Sequence, residues 1–143
     1  MTTVIGRRTR NVDREGARGA ILGVTCANDV SARILQKSDG QWGRAKGFDT
    51  FAPVGPAIAV GLDPTELEIT TRVNGDERQR GRTSEMAFGP LELVAFISRV
   101  MTLEPGDLIL TGTPSGVGPL SAGDVVEVAI DGVGVLKNDV VAG

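Results

Sequence analysis

The sequence predicts a β-rich α+β domain with few, short helices. Three observations carry that reading. Short β-branched runs recur between clusters of Gly, Pro and Asp. Only the stretch from Pro90 to Met101 has a sustained apolar stripe at helical spacing. Asn74-Gly75 stands between two strand-like runs and is the strongest hairpin signal in the chain. At 143 residues, with no linker or shift in composition, the expectation is one domain. A domain of that size buries roughly 70% of the surface its unfolded chain would expose.

Val4-Ile5-Gly6 reads as the end of a strand, and the basic loop Arg7-Arg8-Thr9-Arg10 leads to a short helix near Asp13 to Ile21, weakened by Gly16 and Gly19. A strand from Gly23 to Asn28 follows. Ser31 is placed as the N-cap of the next turn, on which Arg33 and Gln36 fall three apart. Lys37 to Pro56 has no clear period and reads as a long loop held down by Trp42, Phe48 and Phe51. Long structureless loops are uncommon in compact domains and are often functional. Ala57 to Val60 and Glu68 to Val73 read as strands, with Glu77 to Gly81 returning after the Asn-Gly turn.

Pro90 suits the first position of a helix whose stripe is Leu91, Val94, Ala95, Ile97 and Met101, and this helix is expected to cover one face of a sheet. Leu108 to Thr111, Val125 to Ile130 and Val133 to Asn138 complete the strands, the last two joined by Asp131-Gly132. Glu104-Pro105-Gly106-Asp107 and Ser121-Ala122-Gly123-Asp124 share a pattern, which reads as turn chemistry and not as a structural repeat.

Composition excludes several functions. A net charge of −3 leaves no electrostatic footprint for nucleic acid or an anionic membrane surface. No apolar run approaches the roughly 20 residues that span a bilayer, and no signal-peptide pattern is present, so the expected compartment is the cytoplasm. Aromatic residues make up 3%, too few for base- or sugar-stacking platforms. Histidine is absent, which removes Ser-His-Asp triads, Cys-His pairs and His-rich zinc sites. Any acid or base must then be a carboxylate, a lysine or water. The lone Cys26 reads as a small buried apolar residue.

The segment from Cys26 to Gln36 concentrates chemistry, with an acid (Asp29), a guanidinium (Arg33) and an amide (Gln36) on one strand-to-helix transition. Its ordinary reading is a capped helix whose Arg33 pairs with Asp29 at the surface. The segment from Gln41 to Pro56, which contains Gly43-Arg44-Ala45-Lys46-Gly47-Phe48-Asp49, follows it, and the segment from Met101 to Gly118, which ends in Thr111-Gly112-Thr113-Pro114-Ser115-Gly116-Val117-Gly118, comes later. The last loop lacks the Lys-Ser/Thr pair of a P-loop, and it fits better as a loop that brings backbone and the Thr113 hydroxyl to a small oxyanion.

In this order the three segments resemble the C-terminal catalytic domain of the fumarylacetoacetate hydrolase family, from about Val4 to Asn138. The resemblance implies the family's mixed β-sandwich or roll and a homodimer. It also implies a metal-dependent hydrolase, decarboxylase or isomerase of small 1,3-dicarbonyl or 2-oxo acids. In that family Mg²⁺ or Mn²⁺ is held by carboxylates, because a hard divalent ion prefers oxygen ligands and can polarise a chelated oxo acid. By similarity Asp29 is a metal ligand, Arg33 and Gln36 hold substrate carboxylate or oxo groups, Lys46 neutralises developing charge, and Thr113 donates a hydrogen bond.

The sequence departs from the family pattern at its start. The family's Glu-x-Glu pair stands just before the strand that ends here in Val4-Ile5-Gly6, so the two further carboxylates are expected upstream of Met1, with the N-terminal strand and lid region. The 143 residues alone are therefore expected to bind a divalent ion weakly and to show little activity. The alternative is a non-catalytic remnant of the family with a binding or structural role.

Overall fold

The computed structural model describes residues 1–142. Two four-stranded sheets make up the domain, and every strand pairing in them is antiparallel. The first has the order β3-β2-β1-β6 and is built from β1 (Thr2–Ile5), β2 (Ile21–Ala27), β3 (Val54–Val60) and β6 (Leu108–Leu110). The second has the order β5-β4-β7-β8, from β4 (Glu68–Val73), β5 (Asp76–Arg82), β7 (Val125–Ile130) and β8 (Gly134–Asp139). The helices are α1 (Arg14–Ala20), α2 (Arg33–Ser38), α3 (Gly43–Lys46) and α4 (Pro90–Val100). Among the described residues no helix is long and apolar enough to cross a membrane.

Burial follows the pleat. In β7 Val126, Val128 and Ile130 point inward while their neighbours are half-buried. Val128 and Ile130 join Met1, Val24, Cys26, Leu67 and Leu136 in the core between the sheets. A second core joins Ile5 and Ile109 of the first sheet to Ala17 of α1 and to Leu91, Val94 and Ala95 of α4. The stripe on α4 thus covers a sheet as its spacing predicts, except that Met101 is largely exposed. Cys26 is fully buried, and that burial pushes its thiol pKa up, as suits an inert apolar residue.

Local chemistry explains the boundaries. Asp13 caps α1, its Oδ1 accepting from Gly16 N at 2.8 Å. Asn74 and Gly75 take φ of 54° and 85° in the two-residue turn between β4 and β5. The β7–β8 connection is one residue longer than Asp131-Gly132, with Val133 closing it through Val133 N to Ile130 O at 3.0 Å. The two acidic turns are alike: Asp107 Oδ2 accepts from Glu104 N at 2.8 Å and Asp124 Oδ2 from Ser121 N at 2.7 Å.

Three local expectations are corrected. The stretch from Lys37 to Pro56 is not a structureless loop: it contains the end of α2, all of α3 and the start of β3. β3 runs through Pro56 because it lies at the sheet's edge, where a residue without an N–H is tolerated. Trp42 does not hold this segment down, since it is largely exposed; Phe48 and Phe51 pack on each other with ring centroids 5.4 Å apart. Ser31 is not the N-cap of α2, a position taken by Ala32 with no side-chain cap bond.

Candidate functional site

Antiparallel pairing brings three chain segments to one end of the first sheet. Thr2 of β1 lies opposite both Thr25 of β2 and Leu110 of β6. The start of β1, the exit of β2 toward Asp29 and the exit of β6 toward Thr113 are therefore neighbours. Thr111 fastens the β6 exit, its N–H and hydroxyl both donating to Met1 O, at 3.2 and 2.9 Å. Asn28 N donates to Pro53 O at 3.1 Å and holds the β2 exit against the chain entering β3.

The paired short helices bring Lys46 to Asp29. Ala32 N donates to Ala45 O at 2.9 Å, joining the start of α2 to the end of α3. Arg44 grips Asp39 through two hydrogen bonds of 2.8 and 2.7 Å and holds that carboxyl below the usual carboxylate range. Lys46, the last residue of α3, then places Nζ 2.5 Å from Asp29 Oδ2 and 3.1 Å from Ser31 Oγ. Both members of the ion pair keep substantial solvent access.

Of the residues nominated from the sequence, Asp29 and Lys46 are thus in direct contact. The surface pair of Asp29 with Arg33 does not form. Arg33 Nη1 instead donates to Gln36 Oε1 at 2.7 Å. That bond occupies the amide oxygen of Gln36 and leaves its Nε2 hydrogens, with the other guanidinium N–H groups, as donors suited to a carboxylate. Thr113 contacts neither group: its Oγ1 accepts from Gln79 Nε2 at 2.8 Å. Ser31 and Gln79 are the two residues that sequence reasoning missed. The Ser31 contact was hidden by its reading as a cap, and the Gln79 contact spans 34 positions between two sheets.

Among the described residues no group of three or more His, Cys, Asp or Glu stands together to hold a metal ion. Asp29 offers one carboxylate, and Lys46 already occupies its Oδ2. These residues by themselves do not fit a Mg²⁺ or Mn²⁺ site, which needs several oxygen ligands. The chemistry they do offer is a cation paired with a carboxylate, next to hydrogen-bond donors.

Two stacked antiparallel sheets with a charged cluster at the strand ends of one of them define a β-rich domain with a polar site at one end of a sheet. The chain belongs to the fumarylacetoacetate hydrolase family: the family model for the fumarylacetoacetate (FAA) hydrolase C-terminal region matches residues 1–141. The structure of 5-carboxymethyl-2-hydroxymuconate delta-isomerase from Mycobacterium smegmatis has a TM-score of 0.96 at 53% identity, over 99% of this chain and 57% of that one. The mitochondrial oxaloacetate tautomerase of Xenopus laevis is 46% identical, over 96% of this chain and 47% of its own length. Maleylpyruvate hydrolase from Sphingobium sp. SYK-6, solved in complex with manganese(II) ion and pyruvate, has a TM-score of 0.90 at 39% identity, over 99% of this chain and 52% of that one. The chain spans between 47% and 66% of the length of the curated relatives it matches.

Proposed function

We propose that these residues form a fumarylacetoacetate hydrolase-like catalytic domain acting on small 1,3-dicarbonyl or 2-oxo acids, by C–C hydrolysis, decarboxylation or isomerisation. The observation that carries the proposal is the cluster of Asp29 and Ser31, in the connection between β2 and α2, with Lys46 at the end of α3, the Arg33–Gln36 pair following on α2. Breaking or shifting a bond next to a carbonyl builds negative charge on oxygen. A fixed ammonium at Lys46 stabilises that charge without reorganisation when it forms. Arg33 and Gln36 present donors for the substrate's carboxylate, and Thr113 a hydroxyl for an oxo or carboxylate oxygen. The names of the three relatives support an oxo-acid substrate, since one is named for oxaloacetate, one for a 2-hydroxymuconate, the enol form of a 2-oxo acid, and the third was solved with pyruvate.

The metal belongs to this reading through the manganese complex of the Sphingobium hydrolase. In the proposal Asp29 is one of three carboxylates for Mg²⁺ or Mn²⁺. The other two, a Glu-x-Glu pair, belong to an N-terminal strand that lies, with the lid region, outside these 143 residues. The working form proposed is a homodimer, as the family resemblance implies, and the cytoplasm is its proposed compartment.

Oxaloacetate and acylpyruvate turnover with Mg²⁺ tests the reading, measured on residues 1–143 and on the same residues preceded by a Glu-x-Glu strand taken from a relative. Activity in the longer chain only is the expected result. Activity in neither favours the non-catalytic remnant. Tight stoichiometric Mn²⁺ binding by residues 1–143 alone refutes the division of the ligands.

A further inference from the structure

We infer that Gln79 is a positioning residue that sets the Thr113 hydroxyl as a hydrogen-bond donor toward an anionic or oxo ligand. The inference rests on the reading of Thr113 as a substrate contact. Gln79 lies on β5 in the second sheet, paired with Thr71 of β4, while Thr113 leaves the first sheet after β6. Its Nε2 stands 2.8 Å from Thr113 Oγ1, 3.0 Å from Pro114 O and 3.4 Å from Ser115 O. Two of these three partners are carbonyls, which only accept. The amide nitrogen and not the amide oxygen must therefore face the loop, and this fixes the orientation of the side chain.

The consequence falls on one proton. A threonine hydroxyl has one hydrogen and two lone pairs. With a lone pair filled by Gln79, the hydrogen points away from β5, and among the described residues no protein acceptor takes it. Thr113 is exposed, so that hydrogen is offered outward, to a bound oxygen.

The loop is built to lie against β5. At Gly116, with φ of 101°, an added Cβ would stand 2.0 Å from Arg78 O, so only glycine permits this approach. At Gly81 an added Cβ would stand 3.4 Å from Pro114 Cβ and Cγ, in ordinary contact. Thr111 ties the other end of the loop to Met1 O. Residues 111 to 116 therefore bridge the two sheets, and Gln79 is the polar hinge pin of the bridge.

NMR on the 143-residue chain tests this without requiring turnover. The probe is oxalate, a planar stand-in for a 2-oxo acid, titrated against backbone amide shifts that detect millimolar binding. Gln79→Met removes the donor, and Gln79→Glu keeps the shape but presents only acceptors. The expected result is that Gln79→Met and Thr113→Val each weaken oxalate about fivefold, Gln79→Glu weakens it more, and the Gln79→Met/Thr113→Val double variant binds no worse than Thr113→Val. Wild-type affinity in Gln79→Met, or a loss that adds in full to that of Thr113→Val, overturns the inference. Equal oxalate shifts in wild type and Thr113→Val count against Thr113 as a substrate donor, not against the hold of Gln79 on it. That hold is read without ligand: Gln79→Met raises the nanosecond mobility of residues 112–118 in ¹⁵N relaxation, and unchanged relaxation overturns the inference.

Discussion

Three glycines in the loop after β6 separate backbone strain from close approach. Gly112, with φ of 94°, has open space where a Cβ would go, whereas Gly116, with φ of 101°, would put one 2.0 Å from Arg78 O and 3.1 Å from Gln79 Cγ. Gly118 has neither a positive φ nor an obstructing neighbour. Gly118→Ala removes only freedom in the unfolded chain and is expected to be neutral or to stabilise by about 0.4–1 kcal/mol. Gly112→Ala carries the left-handed penalty alone, about 1–2 kcal/mol. Gly116→Ala carries that penalty and a contact far inside the 3.4 Å at which ordinary contact begins.

Arg78 is the unpaired residue of a bulge in β5, but Glu77 and Gln79 on either side of it pair with Arg72 and Thr71 of β4 and hold the strand, so the loop is expected to lift. Lifting breaks the bonds from Gln79 to Thr113, Pro114 and Ser115, at about 0.5–1.5 kcal/mol net for a well-formed bond and less where water replaces it. Gly116→Ala is therefore expected to cost about 2–4 kcal/mol. Urea unfolding followed by far-UV circular dichroism measures the series, with an unchanged m-value as the check that only stability moved. Equal losses for Gly112→Ala and Gly116→Ala refute the close approach, and a loss in Gly118→Ala as large as in Gly116→Ala refutes the reasoning altogether.

Three further outcomes are expected. Lys46→Met removes an ion pair whose side chains are 30% and 46% exposed, so it changes unfolding by less than about 1 kcal/mol; oxaloacetate turnover in the Glu-x-Glu-extended chain falls at least about 10²-fold, and a stability loss above about 2 kcal/mol would make Lys46 a structural residue. Thr3 is fully buried between Val24 and Ile109 with its hydroxyl unpaired, so Thr3→Val is expected to raise stability by about 1 kcal/mol in the same urea assay; a loss would mean that the hydroxyl has a partner. The Asp124 carboxyl is held below its usual pKa first by the Ser121 N–H and then by the Asn74 amide. Its stabilisation is complete above the unfolded pKa, near 4, and is lost as pH falls through the lower folded value. Stability measured from about pH 5 downward should thus fall less steeply in Asp124→Asn than in wild type, and parallel curves would contradict the assignment.

Much of the architecture could be read from local pattern. The strand run from Val125 to Ile130, the stripe from Leu91 to Ile97 and the Asn74-Gly75 turn each depend on neighbours within a few residues, and the structure has all three. The motif order around Asp29, Lys46 and Thr113 indicated the family, which the match over residues 1–141 establishes. Pattern failed between Lys37 and Pro56, where two short helices and an edge strand have too few turns or alternations to register as periodic.

What the sequence determined by itself was the type of each long element, the family and the residues worth suspecting. Tertiary structure alone decided their partners. Asp29 meets Lys46, 17 positions away, and not the nearer Arg33, because Ala32 and Ala45 join α2 to α3 and bring the last residue of α3 back to the β2 exit. Thr113 meets Gln79 because its loop crosses from one sheet to the edge strand of the other. Helix and turn propensities act over a few residues of backbone, whereas these contacts follow from which strands share a hydrogen-bond ladder and which sheets share a core.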